Sequence, residues 1–389
     1  MIKIFQLHLD LHQGDAHGSV PRKRVRRWTL VSFILSSPKH LSGECRFVQP
    51  QNRGRKMISL VYRMAAIAAV VLFAGAASAQ QFTMKLSSPT VNDAIHEWMK
   101  TFKAGVEQRS GGRIKVEIYP ASQLGQIPAT VDGVTLGTIE FAIPAVGFLI
   151  GLEPRFQVFD AAGLFDSVEH GQKVLADPAV RARLASFGET KGVEPLVMAL
   201  NGPLMVVSHK AIRTVADFKG QKIRVPGAAP LHIEPFKKLG ALPVSIPLGE
   251  VLPAMQNKTI DGSISSFNVL TAFKYYDVTK TTTYLPGSFL VVGGVVNRNF
   301  MTSIGPELAA IVREEARKAE TVLSTVGVAD VERTRQIWLK NGGEAITLPA
   351  AEASSYLKEV TSVIPGVLAT NLKMKEDYDT LVEAAKRLR

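Results

Sequence analysis

Asp217-Phe-Lys-Gly-Gln-Lys-Ile-Arg-Val-Pro226 is followed by an amphipathic segment closed by Lys238-Leu-Gly240, then by Gly249-Glu-Val251 and Ile260-Asp-Gly262. Turn residues bound two short apolar runs here, which predicts two strands flanking two short helices. Arg224 ends the first of these strands, so it faces the crevice beyond the carboxyl ends of an open α/β sheet, where such sheets hold ligands. Lys222 shares its strand face, while Ile223 and Val225 face the other way. A guanidinium in a closing crevice suits a carboxylate, because its planar fork matches two oxygens and the pair strengthens as water leaves. The residues alone leave a second assignment open, a structural ion pair of Arg224 with Glu250 or Asp261.

Around this stretch the chain is globular in composition: of 389 residues, 46% are apolar and 21% charged, enough for one large or two medium cores. The formal charge of +12 is unevenly spread. Residues 1–79 hold 12 Lys/Arg against 3 Asp/Glu, and the remainder is nearly balanced at 34 against 31. No nucleic-acid partner is therefore expected, since the excess sits in a segment expected to be absent from the mature protein. Cys45, the single cysteine, lies in that segment too, which leaves residues 80–389 without a thiol for a disulfide, a zinc site or a nucleophile.

Residues 57–79 have the three parts of a secretory signal: Lys56 and Arg63, an apolar run over 64–74, and Ala77-Ser-Ala79 before the expected cleavage. The run is short for a membrane anchor. A signal that begins internally implies that Met57 is the initiator and that residues 1–56 are a mis-assigned extension. Within it, Arg22-Lys-Arg-Val-Arg-Arg27 precedes only a brief apolar run with no cleavage site.

From Gln80 onward strand and helix patterns alternate. A strand is expected at 82–86, then Thr90-Val-Asn-Asp93 as a capping box for a helix carrying Ile95, Trp98, Met99, Phe102 and Val106, then a strand at 113–119. A helix at 128–136 and a strand at 139–143 lead into the loop Pro144-Ala-Val-Gly-Phe148, another crevice candidate with apolar side chains. Further on, helix is expected over 167–187 with a break at Pro178, a buried strand at 193–200, and a capping box at Thr214-Val-Ala-Asp217. Beyond the opening stretch come a helix at 269–276, strands at 281–285 and 289–296, a long helix at 306–339, a last strand at 345–348 and two terminal helices.

Residues 80–389 lack a G-x-S-x-G elbow, a G-x-G-x-x-G loop, a P-loop and an H-E-x-x-H helix. Their four histidines, His96, His170, His209 and His232, have no metal-ligand spacing and suit surface or hydrogen-bonded core positions. An enzyme is not expected, and neither a cofactor nor a metal is called for; a secreted hydrolase is the alternative in that class.

Lys219-Gly-Gln-Lys-Ile-Arg-Val-Pro226, Leu239-Gly-Ala-Leu-Pro243, Gly249-Glu-Val251 and Ile260-Asp-Gly262, in this order, resemble the DctP-type solute receptors of tripartite ATP-independent periplasmic (TRAP) transporters. The likeness extends through Ser110-Gly-Gly-Arg-Ile-Lys-Val116, Tyr119-Pro-Ala-Ser-Gln-Leu-Gly125, Leu136-Gly-Thr-Ile139 and Tyr276-Asp-Val278, over nearly all of 80–345. It implies an α/β, two-lobed Venus-flytrap fold with mixed sheets and a long helix across both lobes. Lobe I is expected to comprise 80–201 with 291–330, and lobe II 202–290 with 331–389. It also implies a periplasmic receptor that hands a small organic acid to the permease subunits of a TRAP transporter, a sensor or other permease being the alternative partner. The arginine of the family's K-I-R-V-P motif, which binds the substrate carboxylate, corresponds to Arg224.

Departures from the family restrict the ligand. Leu204, in Gly202-Pro-Leu204, stands where many members have the arginine of G-F-R, and Asp261-Gly-Ser-Ile-Ser265 replaces D-G-Q-E-N. Ile143, Pro144, Ala145 and Val146 stand where polar residues are common. One cation in apolar surroundings suits a monocarboxylate with an apolar or aromatic body, because a second charge would be desolvated without a partner. Beside Arg224, the candidate contacts are Ser263, Ser265, Phe267, Phe148, Gln123, Ala145 and Asn92, with His96 as a further reach from the first helix.

Overall fold

The computed structural model describes residues 80–389; the expected signal, the 1–56 extension and the Arg22–Arg27 run lie outside the described residues. Strand β1 (Phe82–Ser87) leads to helix α1 (Ala94–Arg109), β2 (Ile114–Tyr119), α2 (Ile127–Leu136) and the short β3 (Phe141–Ala142). Helix α1 forms where Ile95, Trp98, Met99, Phe102 and Val106 make one buried stripe, with Trp98 stacked on Phe102 at 5.0 Å. Its N-cap is Asp93, whose carboxylate accepts the His96 N–H at 2.9 Å, and Gly111 and Gly112 at φ 62 and 76 end it. Thr90 is thus not the cap: its hydroxyl donates to Asp93 and steadies the residue that is.

Helices α3 (Val168–Ala176) and α4 (Pro178–Leu184) break at Pro178 as the sequence requires, and the 16-residue β4 (Val193–Ser208) follows. Then come β5 (Lys222–Val225), α5 (Pro230–Lys238), β6 (Leu242–Ser245), α6 (Leu248–Gln256), β7 (Gly262–Ser265) and α7 (Phe267–Ala272). The 17-residue β8 (Thr281–Asn297), α8 (Arg298–Ser303), the 36-residue α9 (Gly305–Lys340), β9 (Glu344–Ile346), α10 (Ala350–Thr361), α11 (Ile364–Leu368) and α12 (Leu372–Leu388) complete the chain.

One mixed sheet runs β2-β1-β3-β8-β4-β7-β5-β6, with β9 on β8. Its middle is the antiparallel pair β4 and β8, running from Val193 opposite Asn297 to Ser208 opposite Thr281, with register shifts after Pro195, Leu200 and Pro203. The expected strands at 281–285 and 289–296 are therefore one strand, and the strand expected to stop at 200 continues to 208. The parallel set β2, β1 and β3 flanks this pair on one side, and β7, β5 and β6 flank it on the other. Each flank has its own core cluster, one around Trp98 and Phe141 and one around Trp338 and Phe267, while a third runs along the other face of the sheet. Helix α9, about 54 Å long at 1.5 Å per residue, packs on α1 and α3 and also on α7 and β9, so it ties both flanks together. Helix α12 docks on α3 and α4, and α10 on α5.

Candidate functional site

Pairing fixes β5 before any ligand is considered. The Lys222 N–H donates to the Asp261 carboxylate at 2.8 Å, and the Asp261 N–H donates to the Lys222 carbonyl at 2.9 Å. That engagement removes Asp261 as an ion-pair partner for Arg224, and among the described residues no carboxylate, Glu250 included, lies in salt-bridge contact with Arg224. The structural ion pair left open by the sequence is absent from the described residues.

Arg224 is 2% exposed, whereas Lys222, two residues earlier on the same strand, is in water. Its Nε donates to the Ile246 carbonyl at 3.1 Å, and its Nη1 and Nη2 make no hydrogen bond among the described residues. The guanidinium carbon lies 5.9 Å from the centre of the Phe148 ring, within cation–π range. Burial pushes the Arg224 pKa down to about 10, an effect the nearby Tyr275 hydroxyl opposes. The same burial pushes Tyr275 up to about 12. A desolvated cation without a counter-charge costs several kcal/mol, which an entering anion would offset.

The free fork faces a small cavity over the carboxyl ends of β5 and β7. Apolar side chains dominate its wall, among them Ile95, Ile127, Ile143, Ala145, Leu248, Val269, Leu290 and Val292. Arg224 is the only charged residue of that wall, and Thr90, Asn201 and Ser265 are the other polar ones. The Ser265 hydroxyl makes no hydrogen bond among the described residues, whereas the Thr90 hydroxyl is engaged by Asp93.

Of the residues singled out in the sequence, the structure gathers Arg224, Ser265, Phe148 and Ala145 around this cavity. It leaves four outside the wall. Gln123 and Asn92 are exposed, with the Asn92 N–H donating to the His96 ring and its carbonyl accepting from Arg333. Ser263 pairs opposite Arg224 but sits two residues back from the strand end, its hydroxyl on the Ile264 carbonyl at 3.3 Å. Phe267 turns into the core, edge-on to Tyr284 at 5.6 Å and 6.3 Å from Trp338. The histidines serve local structure: His209 bonds the Met255 carbonyl, His170 the Ala385 carbonyl and His232 the Pro226 carbonyl. No three His, Cys, Asp or Glu side chains gather into a metal-binding group among the described residues.

Asn201 escaped the sequence reading. Its Oδ1 accepts from Asn268 Nδ2 at 2.9 Å, and Asn268 Oδ1 in turn accepts the Ser266 hydroxyl and the Val269 N–H. This chain of amides leaves Asn201 Nδ2 as the group able to donate into the cavity. Its only sequence signal is the Asn201-Gly202 pair, which reads as a turn.

Residues 87–370 match the bacterial extracellular solute-binding proteins, family 7. The chain belongs to that family. It is a DctP-type receptor of the TRAP kind, from a family that binds solutes and does not transform them. The 2,3-diketo-L-gulonate-binding periplasmic protein of Escherichia coli K12 is 28% identical over 295 residues, which are 75% of this chain and 88% of that one. The receptor shares its two-lobed fold with solved TRAP solute-binding proteins. One from Desulfovibrio salexigens, with bound orotic acid, has a TM-score of 0.75 at 23% identity, over 79% of this chain and 99% of the other. One from Shewanella oneidensis, with bound succinate, has a TM-score of 0.72 at 23% identity, over 78% and 99%. No helix of the described residues is long and apolar enough to cross a membrane.

Proposed function

We propose that this receptor captures a monocarboxylate with an apolar or aromatic body, held by Arg224, and delivers it to the permease subunits of a TRAP transporter. The observation that carries this reading is the buried Arg224 fork, unpaired and facing a cavity whose other walls are mostly apolar. Neighbours of the same fold hold orotic acid in one case and succinate in another, so the side chains rather than the fold choose between them. A second carboxylate here would meet Ile, Leu and Val and lose its hydration without a cationic partner. The Ser265 hydroxyl and the Asn201 amide supply the remaining hydrogen bonds to the acid group or to a polar substituent. Residues 80–201 with 291–330 and residues 202–290 with 331–389 act as the two closing lobes, and the exported chain begins near Gln80.

Titration calorimetry tests the reading. Aromatic and branched-chain monocarboxylates should bind more tightly than succinate or sialic acid, and Arg224→Ala should cost about 2–4 kcal/mol, roughly one and a half to three decades in Kd. Tighter binding of succinate or sialic acid, or unchanged affinity in Arg224→Ala, would remove the proposal.

A further inference from the structure

A second void lies next to the carboxylate cavity. It is an open groove whose walls include Gly147, Gly227, Ala228, Ile246 and Pro247, and Phe148 is the residue that lines both spaces. Ile246 also connects them chemically, since its carbonyl holds Arg224 Nε while the residue borders the groove. The two loops that form the groove floor are as close as backbones permit. A Cβ on Gly147 would run into the Pro226 carbonyl and the His232 ring, and one on Gly227 would run into the Gly147 carbonyl. With no side chain from either glycine to fill the junction, half-buried Phe148 is the residue that the inner cavity and the groove share.

We infer that Phe148 sets the length of acid this receptor accepts. With the ring in place the acid must end within the inner cavity; with the ring removed, the same guanidinium holds acids whose tails continue into the groove. The groove walls carry no charged side chain, so the tail they suit is hydrocarbon and not a second acid group or a sugar. This inference rests on the carboxylate reading of Arg224 and adds to it the residue that limits the rest of the ligand.

The test is calorimetry with straight-chain carboxylates from butanoate to decanoate on the intact receptor, Phe148→Ala and Phe148→Trp. Wild-type affinity should rise with length and then drop at one chain length. Phe148→Ala should move that drop to longer acids, with about a fourfold gain for each further methylene buried, and Phe148→Trp should move it to shorter ones. Loss of the ring also removes its contact with the Arg224 cation, which weakens all acids alike, so the rank order by length is the readout. Melting curves of the ligand-free variants show whether each is folded, and the tryptophan variant gives an independent answer if the alanine variant is not. The same cut-off in all three proteins overturns the inference while leaving the carboxylate reading standing. Failure of every acid on wild type, or unchanged affinity in Arg224→Ala for the acids that do bind, overturns both.

Discussion

Arg224 burdens the closed receptor while it is empty, and that burden separates a binding role from a structural one. Its Nε bond to the Ile246 carbonyl, from a charged donor, stabilises by about 2 kcal/mol, whereas burying a guanidinium with no counter-charge costs several. Arg224→Met, similar in length and apolar, should therefore abolish acid binding while the ligand-free protein melts at or above the wild-type temperature. A drop of several degrees in the ligand-free variant would instead mark the arginine as part of the scaffold. The pH dependence follows from the depressed pKa of about 10. Below it the guanidinium is charged, the folding penalty is present and the acid has its partner, so this group does not titrate across the ordinary pH range. Acid affinity should be flat from pH 6 to 9, in a titration against a fixed monocarboxylate.

Among the elements, the capping box before β5 is the most directly testable. Partial burial works to raise the Asp217 pKa, but it is outweighed by the N–H groups of Arg213 and Thr214, the Thr214 hydroxyl and Lys210, which together bring it down to about 2. A carboxylate held below its ordinary value of 3.8 stabilises the fold fully above 3.8 and loses that contribution as pH falls toward 2. Asp217→Ala should cost about 1 kcal/mol in urea melts at pH 7, with the gap from wild type closing between pH 4 and 2. This cap was legible in Thr214-Val-Ala-Asp217 because both partners lie within four residues. Strand β4 was not fully legible: Asn201-Gly202-Pro203 has the residues of a turn, yet the ladder with β8 absorbs them through shifts in register and runs on to Ser208. A strand that ends at 200 leaves Asn201 out of the cavity residues. Phe267 was placed at the crevice by its position after β7, and its true direction is set by Trp338, far along the chain on α9. Local signals place Arg224 and Ser265 at strand ends, but the face that a loop side chain takes is decided by partners that the local pattern does not contain.

At the scale of the molecule, the two sheet flanks meet where the Gly147 loop, after β3, abuts the Gly227 loop, after β5. Because the contact is backbone against backbone, one methyl group should prevent it. Gly227→Ala carries two separable effects: alanine at φ 76 costs about 1–2 kcal/mol wherever it occurs, and its Cβ would run into the Gly147 carbonyl only when the loops are together. Gly240 provides the control, since it has φ 79 and the nearest atom to an added Cβ lies 3.6 Å away, an ordinary contact. Both alanine variants should lose similar stability without ligand, but Gly227→Ala alone should lose tenfold or more in acid affinity and the ligand-induced compaction seen by small-angle scattering. Equal affinity in the two variants would mean that the loops need not meet for the acid to be held, and that Arg224 grips its anion in a cleft that stays open.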